Sequence, residues 1–322
     1  MFAVTATRID ADDPLNGLTL GERPDPEVPD GWTTVTVKAA ALNHHDLWSL
    51  RGVGLPAERL PMILGCDASG VDEDGNEVIV HAVVGDPDRG GGDETLDPKR
   101  SLLSESHPGT LAEKVAVPRR NLVRKPAELS FEEAACLPTA WLTAYRMLFD
   151  KAGVEPGGSV LVQGAGGGVA TAAIALASAA GLRVYATSRS EAKRARALEL
   201  GADAALESGA RLPERVDAVI ETVGQATWSH SLKALRPGGR VVVSGATSGA
   251  VPPADLNRVF FLQLQVVGST MGTRGQLERL AGFLVKSGVR PPIDRALPLD
   301  RAREGFAAMA EGDLFGKIVF TT

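Results

Sequence analysis

One segment constrains this chain more than any other: Val160-Leu161-Val162-Gln163-Gly164-Ala165-Gly166-Gly167-Gly168-Val169-Ala170. A short apolar strand runs into a turn almost without side chains, then into an uncharged stretch of helical character. Such a turn lets main-chain N–H groups approach a phosphate, and the helix N-terminus adds a partial positive charge. The fit to G-x-G-x-x-G is imperfect. Counted from Gly164 the sixth position is Val169; counted one residue later the pattern reads Ala165, Gly167 and Ala170. Glycine is also in excess, 36 of 322 residues, or about 11% against a usual ~7%. A glycine-rich turn that binds nothing stands beside the dinucleotide reading, and the surrounding pattern favours the dinucleotide.

That pattern is alternation. After the turn the chain reads as a helix over 169–180, a strand Arg183-Val184-Tyr185-Ala186, a helix over 191–200 closed by Gly201, and short apolar strands at 216–220 and 240–243. It predicts an α/β fold with a doubly wound parallel sheet. Residues 1–125 differ. Trp32-Thr33-Thr34-Val35-Thr36-Val37, Val78-Ile79-Val80 and residues 111–117 read as strands. Residues 86–106, polar and holding Gly90-Gly91-Gly92, read as a long surface loop. Ser130-Phe131-Glu132-Glu133 has the form of a capping box opening a helix. The length suggests two domains at about 150 residues each.

Charge and cysteine content narrow the partners. Lys and Arg number 34 against 40 Asp and Glu, a net charge of −6 with no basic block, so neither nucleic acid nor an anionic membrane is expected. Residues 156–182 carry no charge but are broken by glycine and rich in alanine, which suits a buried strand, turn and helix better than a membrane span. No secretory signal is visible, and a cytoplasmic location is expected. Two cysteines can build neither a disulfide framework nor a four-thiolate zinc site.

An acid about 20 residues past the glycine turn would bind the ribose 2′-OH of NADH. Ser188 stands there, in Thr187-Ser188-Arg189-Ser190, with Lys193 and Arg194 a turn further on. Hydroxyls and a guanidinium can hold a 2′-phosphate, which points to NADPH over NADH. Two blander readings remain open: Ser190 as a helix cap, and Lys193, Arg194 and Arg196 as a solvated face. Glu191, the nearest acid, keeps NADH in view.

Several pieces in order resemble the medium-chain dehydrogenase/reductase superfamily, in particular its zinc-independent quinone oxidoreductase-like (zeta-crystallin-like) members. They are Ala41-Leu42-Asn43-His44-His45-Asp46-Leu47-Trp48, Leu64-Gly65-Cys66-Asp67-Ala68-Ser69-Gly70-Val71, Gly109-Thr110-Leu111-Ala112-Glu113-Lys114, Leu142-Thr143-Ala144-Tyr145, the glycine turn, Leu235-Arg236-Pro237-Gly238-Gly239-Arg240 and Gly316-Lys317-Ile318-Val319. The resemblance covers nearly the whole chain. It implies a GroES-like, mainly-β catalytic domain from residues 1–125 and 273–322, with a Rossmann NADP-binding domain, 126–272, inserted between. It also implies a homodimer joined through a sheet edge near residues 264–268.

The resemblance further implies roles for single residues. Asn43, Trp48 and Thr143 would stand nearest the reacting groups, Asn43 donating to a developing oxyanion or orienting the ribose. Trp48 would wall a flat acceptor or belong to the core. Gly164, Gly166, Gly167, Gly168 and Val169 would hold the pyrophosphate, with Ser188, Arg189 and Lys193 at the 2′-phosphate. Gly245, Ala246, Thr247, Ser269, Thr270 and Met271 match places where relatives touch the nicotinamide half, or are ordinary turn residues. Lys317 would reach the cofactor phosphate or cover the domain junction.

Zinc-dependent relatives bind the metal with a Cys, a His-Glu pair and a later Cys or His. The matching positions here are Asn43, Cys66-Asp67 and Thr139, and the lobe that carries four structural cysteines in those relatives, residues 86–106, has none. Asn and Thr are poor zinc ligands, so no zinc is expected. Cys66 with Asp67, Asp46, His44 and His45 forms an imaginable improvised site; Cys66 as a small buried hydrophobe is the plainer reading. The implied activity is hydride transfer from NADPH to a quinone or an α,β-unsaturated carbonyl, with positioning carrying much of the catalysis. His44 and His45 have a suitable range for an acid, but the resemblance makes neither the proton donor. An alcohol dehydrogenase, and a nucleotide-binding protein with little turnover, are the alternatives.

Overall fold

The structure is a computed structural model that describes residues 1–322. The chain divides into two units, residues 1–140 with 272–322, and residues 141–271. No helix is long and apolar enough to cross a membrane.

The first unit is built around the strand Trp32–Ala41. Thr33, Val35 and Val37 point inward at the two-residue period of a strand, and Ala39, Ala40 and Ala41 then bury both faces. It pairs antiparallel with Asp67–Asp72, with Lys114–Pro118 and with the C-terminal strand Lys317–Thr321. The end of the chain therefore completes the sheet begun near its start. Gly70 is needed at the closest approach, since a Cβ there would lie 2.1 Å from the Thr36 carbonyl oxygen. Where the strand ends, helix α1 (His44–Leu50) begins, and the Asp46 carboxylate accepts from the Asn43 N–H at 2.9 Å to fix the turn between them.

The capping box is present: Ser130 Oγ accepts from the Glu133 N–H at 3.1 Å and Glu133 returns the bond at 2.9 Å. The helix it opens, Phe131–Ala135, packs against the strands of the first unit. Residues 86–106 are more ordered than a surface loop. Ser101–Leu102 pairs with Val83–Val84, and Glu94, Thr95, Asp97 and Leu103 are buried. Acidic side chains hold this segment: Asp97 accepts from the N–H groups of Asp86 and Lys99, and Glu94 from that of Arg274. Bonds of that kind leave no periodic trace in a sequence.

The second unit is a six-stranded parallel sheet: β1 (Ser159–Val162), β2 (Arg183–Thr187), β3 (Ala204–Leu206), β4 (Val216–Glu221), β5 (Leu235–Val243) and β6 (Gln265–Gly268). Their order is β3-β2-β1-β4-β5-β6 with every neighbour parallel. This is the doubly wound order, and the chain reverses direction across the sheet between β1 and β4. Helix α2 (Gly168–Ala179) follows β1 and α3 (Glu191–Glu199) follows β2. Every residue of β1 is buried, as is α2 from Ala170 to Ala177, so neither carries a charge. Leu161, Val219, Val241, Trp228 and Leu232 share one core. Fully burying one such aliphatic side chain is worth roughly 1.5–3 kcal/mol. Strand β6 lies at the edge, and Val266 on it is exposed.

Candidate functional site

Two polar constellations stand out, one in each unit. In the second unit the expected cofactor residues all follow the carboxyl ends of parallel strands, where ligands of such sheets bind. Gly164–Val169 follow β1, Ser188 and Arg189 follow β2 with Lys193 in the first turn of the helix beyond, Gly245–Thr247 follow β5, and Ser269–Met271 follow β6. Gly164 and Gly166 have φ of +72° and +139°, and a Cβ on Gly164 would meet Val223 Cγ2 at 2.7 Å. The turn is held from beneath: Ala165 N–H donates to the Thr187 carbonyl at 2.7 Å, and Thr187 Oγ1 donates to Gln163 Oε1 at 2.6 Å. Above, nothing intrudes. Gly167 caps α2 with no side-chain bond to the first turn, and no atom lies within 4 Å of where its Cβ would stand. Bare amides at a helix start, in a cradle that a Cβ would fill, fit a pyrophosphate.

At the end of β2, Ser190 caps α3 by accepting from the Lys193 N–H at 3.3 Å, so the cap reading of Ser190 holds. Ser188 is buried, and its carbonyl accepts from Arg194 Nη1 at 2.9 Å. Arg189 is exposed, with no hydrogen-bonding or ionic partner in the protein. Met271 has a φ of +42°, which a non-glycine residue seldom adopts without compensation. Ser269 Oγ is buried without a partner. Thr143 is buried on the helix Leu142–Arg146.

One organising residue here was missed in the sequence. Glu221, the last residue of β4, is fully buried, and its carboxylate accepts from the N–H groups of Val223 and Gly224 and from the hydroxyls of Thr227 and Ser231 at 2.6–3.0 Å. It fixes the turn against which Gly245–Thr247 packs, where Thr247 N–H reaches the Thr222 carbonyl. An acid directly after the apolar run Ala218-Val219-Ile220 was the available signal.

The first unit holds the second constellation. The Lys317 ammonium, 2% exposed, donates to Asn43 Oδ1 at 2.6 Å, to the Leu42 carbonyl at 2.8 Å and to Asp67 Oδ2 at 3.2 Å. Asn43 Nδ2 in turn donates to Asp67 Oδ2 at 2.9 Å and, over a long 3.4 Å, to the Ala41 carbonyl. The amide of Asn43 is thereby oriented, and only its long bond is weak enough to exchange. All three donors of Lys317 are engaged inside this cluster. Asp46, buried and with its pKa pushed up by that burial, joins from α1 by accepting from the N–H groups of Asn43 and Gly65. Asp67 Oδ1 and Thr139 Oγ1 are buried without partners.

Beside this cluster, His45 Nε2 lies 2.8 Å from Glu105 and its Nδ1 lies 3.5 Å from Cys66 Sγ. Burial opposes charge on His45, while its hydrogen bonds to the Cys66 sulfur and to the Glu105 carboxylate favour the charged ring and push its pKa up. Burial pushes the Cys66 thiol up as well, and Sγ–H donates to the Leu103 carbonyl at 3.4 Å. His44 and Trp48 stand one helical turn apart on α1, His44 exposed and Trp48 half-buried.

The donor set does not fit a zinc ion. Asn43 Oδ1 and Asp67 Oδ2 already accept from an ammonium, and no three His, Cys, Asp or Glu side chains converge. Zinc wants thiolate, imidazole or carboxylate directed at one point. The structure brings Asn43 and Lys317 together, and with them Asp46 and Asp67; it builds Cys66 and His45 into a separate contact.

Residues 29–127 match the family model described as the alcohol dehydrogenase GroES-like domain, and residues 168–286 that described as zinc-binding dehydrogenase. An acryloyl-coenzyme A reductase of Sulfurisphaera tokodaii is 30% identical, over 95% of this chain and 97% of the relative. The crystal structure of an NAD-dependent alcohol dehydrogenase is 36% identical and superposes with a TM-score of 0.92 over the whole of both chains. A 2-octenoyl-CoA carboxylase reductase in complex with NADP and 2-octenoyl-CoA is 26% identical, with a TM-score of 0.91 over 99% of this chain and 87% of the other.

Proposed function

The chain belongs to the medium-chain dehydrogenase/reductase superfamily, and on that premise we propose that it is an NADPH-dependent, zinc-independent reductase of α,β-unsaturated carbonyl compounds. The observation that carries this reading is the buried Lys317 ammonium, bonded to the two oxygens a metal would need. Without a Lewis acid, a substrate whose own conjugation spreads the developing charge is easier to reduce than a simple carbonyl. Two of the similar proteins, the acryloyl-coenzyme A reductase and the 2-octenoyl-CoA carboxylase reductase, are named for conjugated acyl thioesters. Quinones share that conjugation and remain candidate acceptors.

The cofactor supplies the hydride. The chain's residues bind and orient. The amides of Gly166–Val169 at the start of α2 take the pyrophosphate, and Arg189 with Ser188 the 2′-phosphate. The turns Gly245–Thr247 and Ser269–Met271, with Thr143, line the nicotinamide half. Asn43, its amide fixed by Lys317 and Asp67, offers the N–H of its long bond to the substrate oxygen, and Trp48 gives an apolar wall. A homodimer through β6 fits the exposure of Val266 on that edge and of Phe260 and Phe261 just before it.

The test is NADPH oxidation against a panel of enones, unsaturated thioesters, quinones and aldehydes, run beside NADH and with a chelator. Turnover of the conjugated acceptors with NADPH, indifferent to chelator, is expected. A second reading, an alcohol dehydrogenase using NAD, draws on the 36% identity to the NAD-dependent enzyme. Alcohol oxidation with NAD that stops on chelation would replace the first reading with it.

A further inference from the structure

A hollow of about 740 Å³ lies within the first unit, walled by the loop around Glu94, by the turn Arg119–Asn121 and by the first two turns of the helix Arg274–Ser287. Its volume is that of a small-molecule site, typically about 300–1,000 Å³. Its walls are not those of a site for a flat alkene. Four guanidinium groups line it, from Arg119, Arg120, Arg274 and Arg279, against the single carboxylate of Glu94. In a chain of net charge −6 this is a local reversal of sign.

Three of these five charged groups are occupied by the protein. Arg119 pairs with Glu73 and stands 3.7 Å from Asp74. Arg274 donates to Glu278 at 2.8 Å and to the Leu122 carbonyl at 3.2 and 3.3 Å. Glu94 accepts from the Arg274 N–H at 2.5 Å and lies 3.8 Å from His81 Nδ1. That bond also closes the helix start, so side chains rather than the helix terminus give the hollow its charge. Arg120 and Arg279 are left: both are exposed, and neither has a hydrogen bond or a carboxylate partner. Arg279 Nη1 lies back over Gly275, 3.7 Å from where a Cβ would stand. Like charges gathered without counter-charges repel, and a guanidinium fork matches phosphate oxygens two at a time.

We propose that this hollow anchors the phosphate-bearing end of a coenzyme A-type thioester substrate, with Arg120 and Arg279 as the contacts. The proposal rests on the reductase reading above and extends it to a substrate class. Such a thioester carries its phosphates at the end opposite the reacting acyl group, joined by a long flexible arm. An anchor for them is therefore a separate site with hydrophilic, cationic walls, as here. The arginines come from two segments more than 150 residues apart, which is why no basic block announces them in the sequence.

The experiment compares one unsaturated acyl group carried on coenzyme A and on pantetheine, which lacks the nucleotide and its phosphates. In the wild type, KM for the coenzyme A ester is expected to be at least tenfold below that for the pantetheine ester. The double substitution Arg120→Ala, Arg279→Ala is expected to raise the first KM about tenfold, leaving the second and both kcat values within twofold. Equal wild-type KM values, or a double variant that shifts both esters alike, overturn the anchor while leaving the reductase reading in place. If neither ester is turned over but a free enone is, calorimetric titration with coenzyme A and with inorganic pyrophosphate decides. Binding of coenzyme A lost in the double variant upholds the anchor. Binding of pyrophosphate alone, or of neither, overturns the assignment to a thioester.

Discussion

At the carboxyl ends of the parallel strands the polar groups on offer are main-chain amides, bared by glycine and supplied within a few residues of one another. In the first unit they are side chains drawn from distant parts of the chain: Lys317 lies 250 residues from Asp67 and 274 from Asn43. The first arrangement depends on what is left out of the sequence, the second on an exact balance of charges put in. The two should therefore fail differently. A change at the glycine turn should weaken ligand binding with a stability cost set by backbone conformation alone. A change in the buried cluster should cost stability first.

The largest effect is expected at Lys317→Met. It leaves the Asp67 carboxylate, wholly buried and with one oxygen already unpartnered, without its counter-charge. Breaking a buried pair from one side costs about 3–5 kcal/mol. Urea denaturation should show that loss, and adding Asp67→Asn to the same chain should recover part of it, because the stranded charge is then gone. A loss below about 1 kcal/mol in the single variant would mean that the cluster is hydrated in solution and does not hold Asn43.

The glycine turn supplies a matched pair of smaller changes. Gly164→Ala forces a side chain onto φ +72°, against Val223 Cγ2 at 2.7 Å; a left-handed backbone alone costs roughly 1–2 kcal/mol. Gly167→Ala has a φ of −75° and open space around it, so its stability should stay within about 0.5 kcal/mol of the wild type. Its affinity for NADPH, read by fluorescence titration, should nonetheless fall about tenfold, because the methyl group enters the space given to the pyrophosphate. Unchanged affinity in the Gly167 variant would remove the turn from the binding site.

This contrast also explains what could be read from the sequence. Four strands of the parallel sheet, the glycine turn and the capping box at Ser130 are local patterns, and the structure has each where the pattern predicts it; the short strand Ala204–Leu206 carried no such signal. Residues 86–106 and the Glu221 hub depend on single acidic side chains bonding main-chain N–H groups, which have no period. Asn43 and Lys317 were each marked as site residues, but by resemblance. Their bond joins the two ends of the chain, and only the sheet pairing of Lys317–Thr321 with Trp32–Ala41 brings them together. Lys317 illustrates the limit: expected at the cofactor phosphate or at the domain junction, it is found with its ammonium buried against Asn43 and Asp67.

A change at the 2′-phosphate contact should be milder still and specific. Arg189 is exposed and unpartnered, so Arg189→Ala should leave the melting temperature within about 1 °C while weakening NADPH about tenfold, or about 1.4 kcal/mol. NADH should bind the variant as it binds the wild type. Equal weakening of both cofactors would move Arg189 from the 2′-phosphate to a general role in the turn.

The smallest change expected lies beside the buried cluster and is read in its pH dependence. His45 is charged more readily in the fold than in the unfolded chain, because its hydrogen bonds to the Cys66 sulfur and to Glu105 outweigh burial. A group with a raised folded pKa stabilises fully below its unfolded value, about 6.5 for histidine. It loses that contribution as the pH climbs through the folded value. Glu105→Gln removes one of the two supports. The His45 imidazole signal in an NMR titration should then move to lower pKa, and the stability deficit of the variant should be greatest below the variant's own folded pKa and shrink as the pH rises from there through the wild-type folded value. A deficit independent of pH would show that Glu105 acts on its neighbours by packing, and the His45–Glu105 bond would carry no charge.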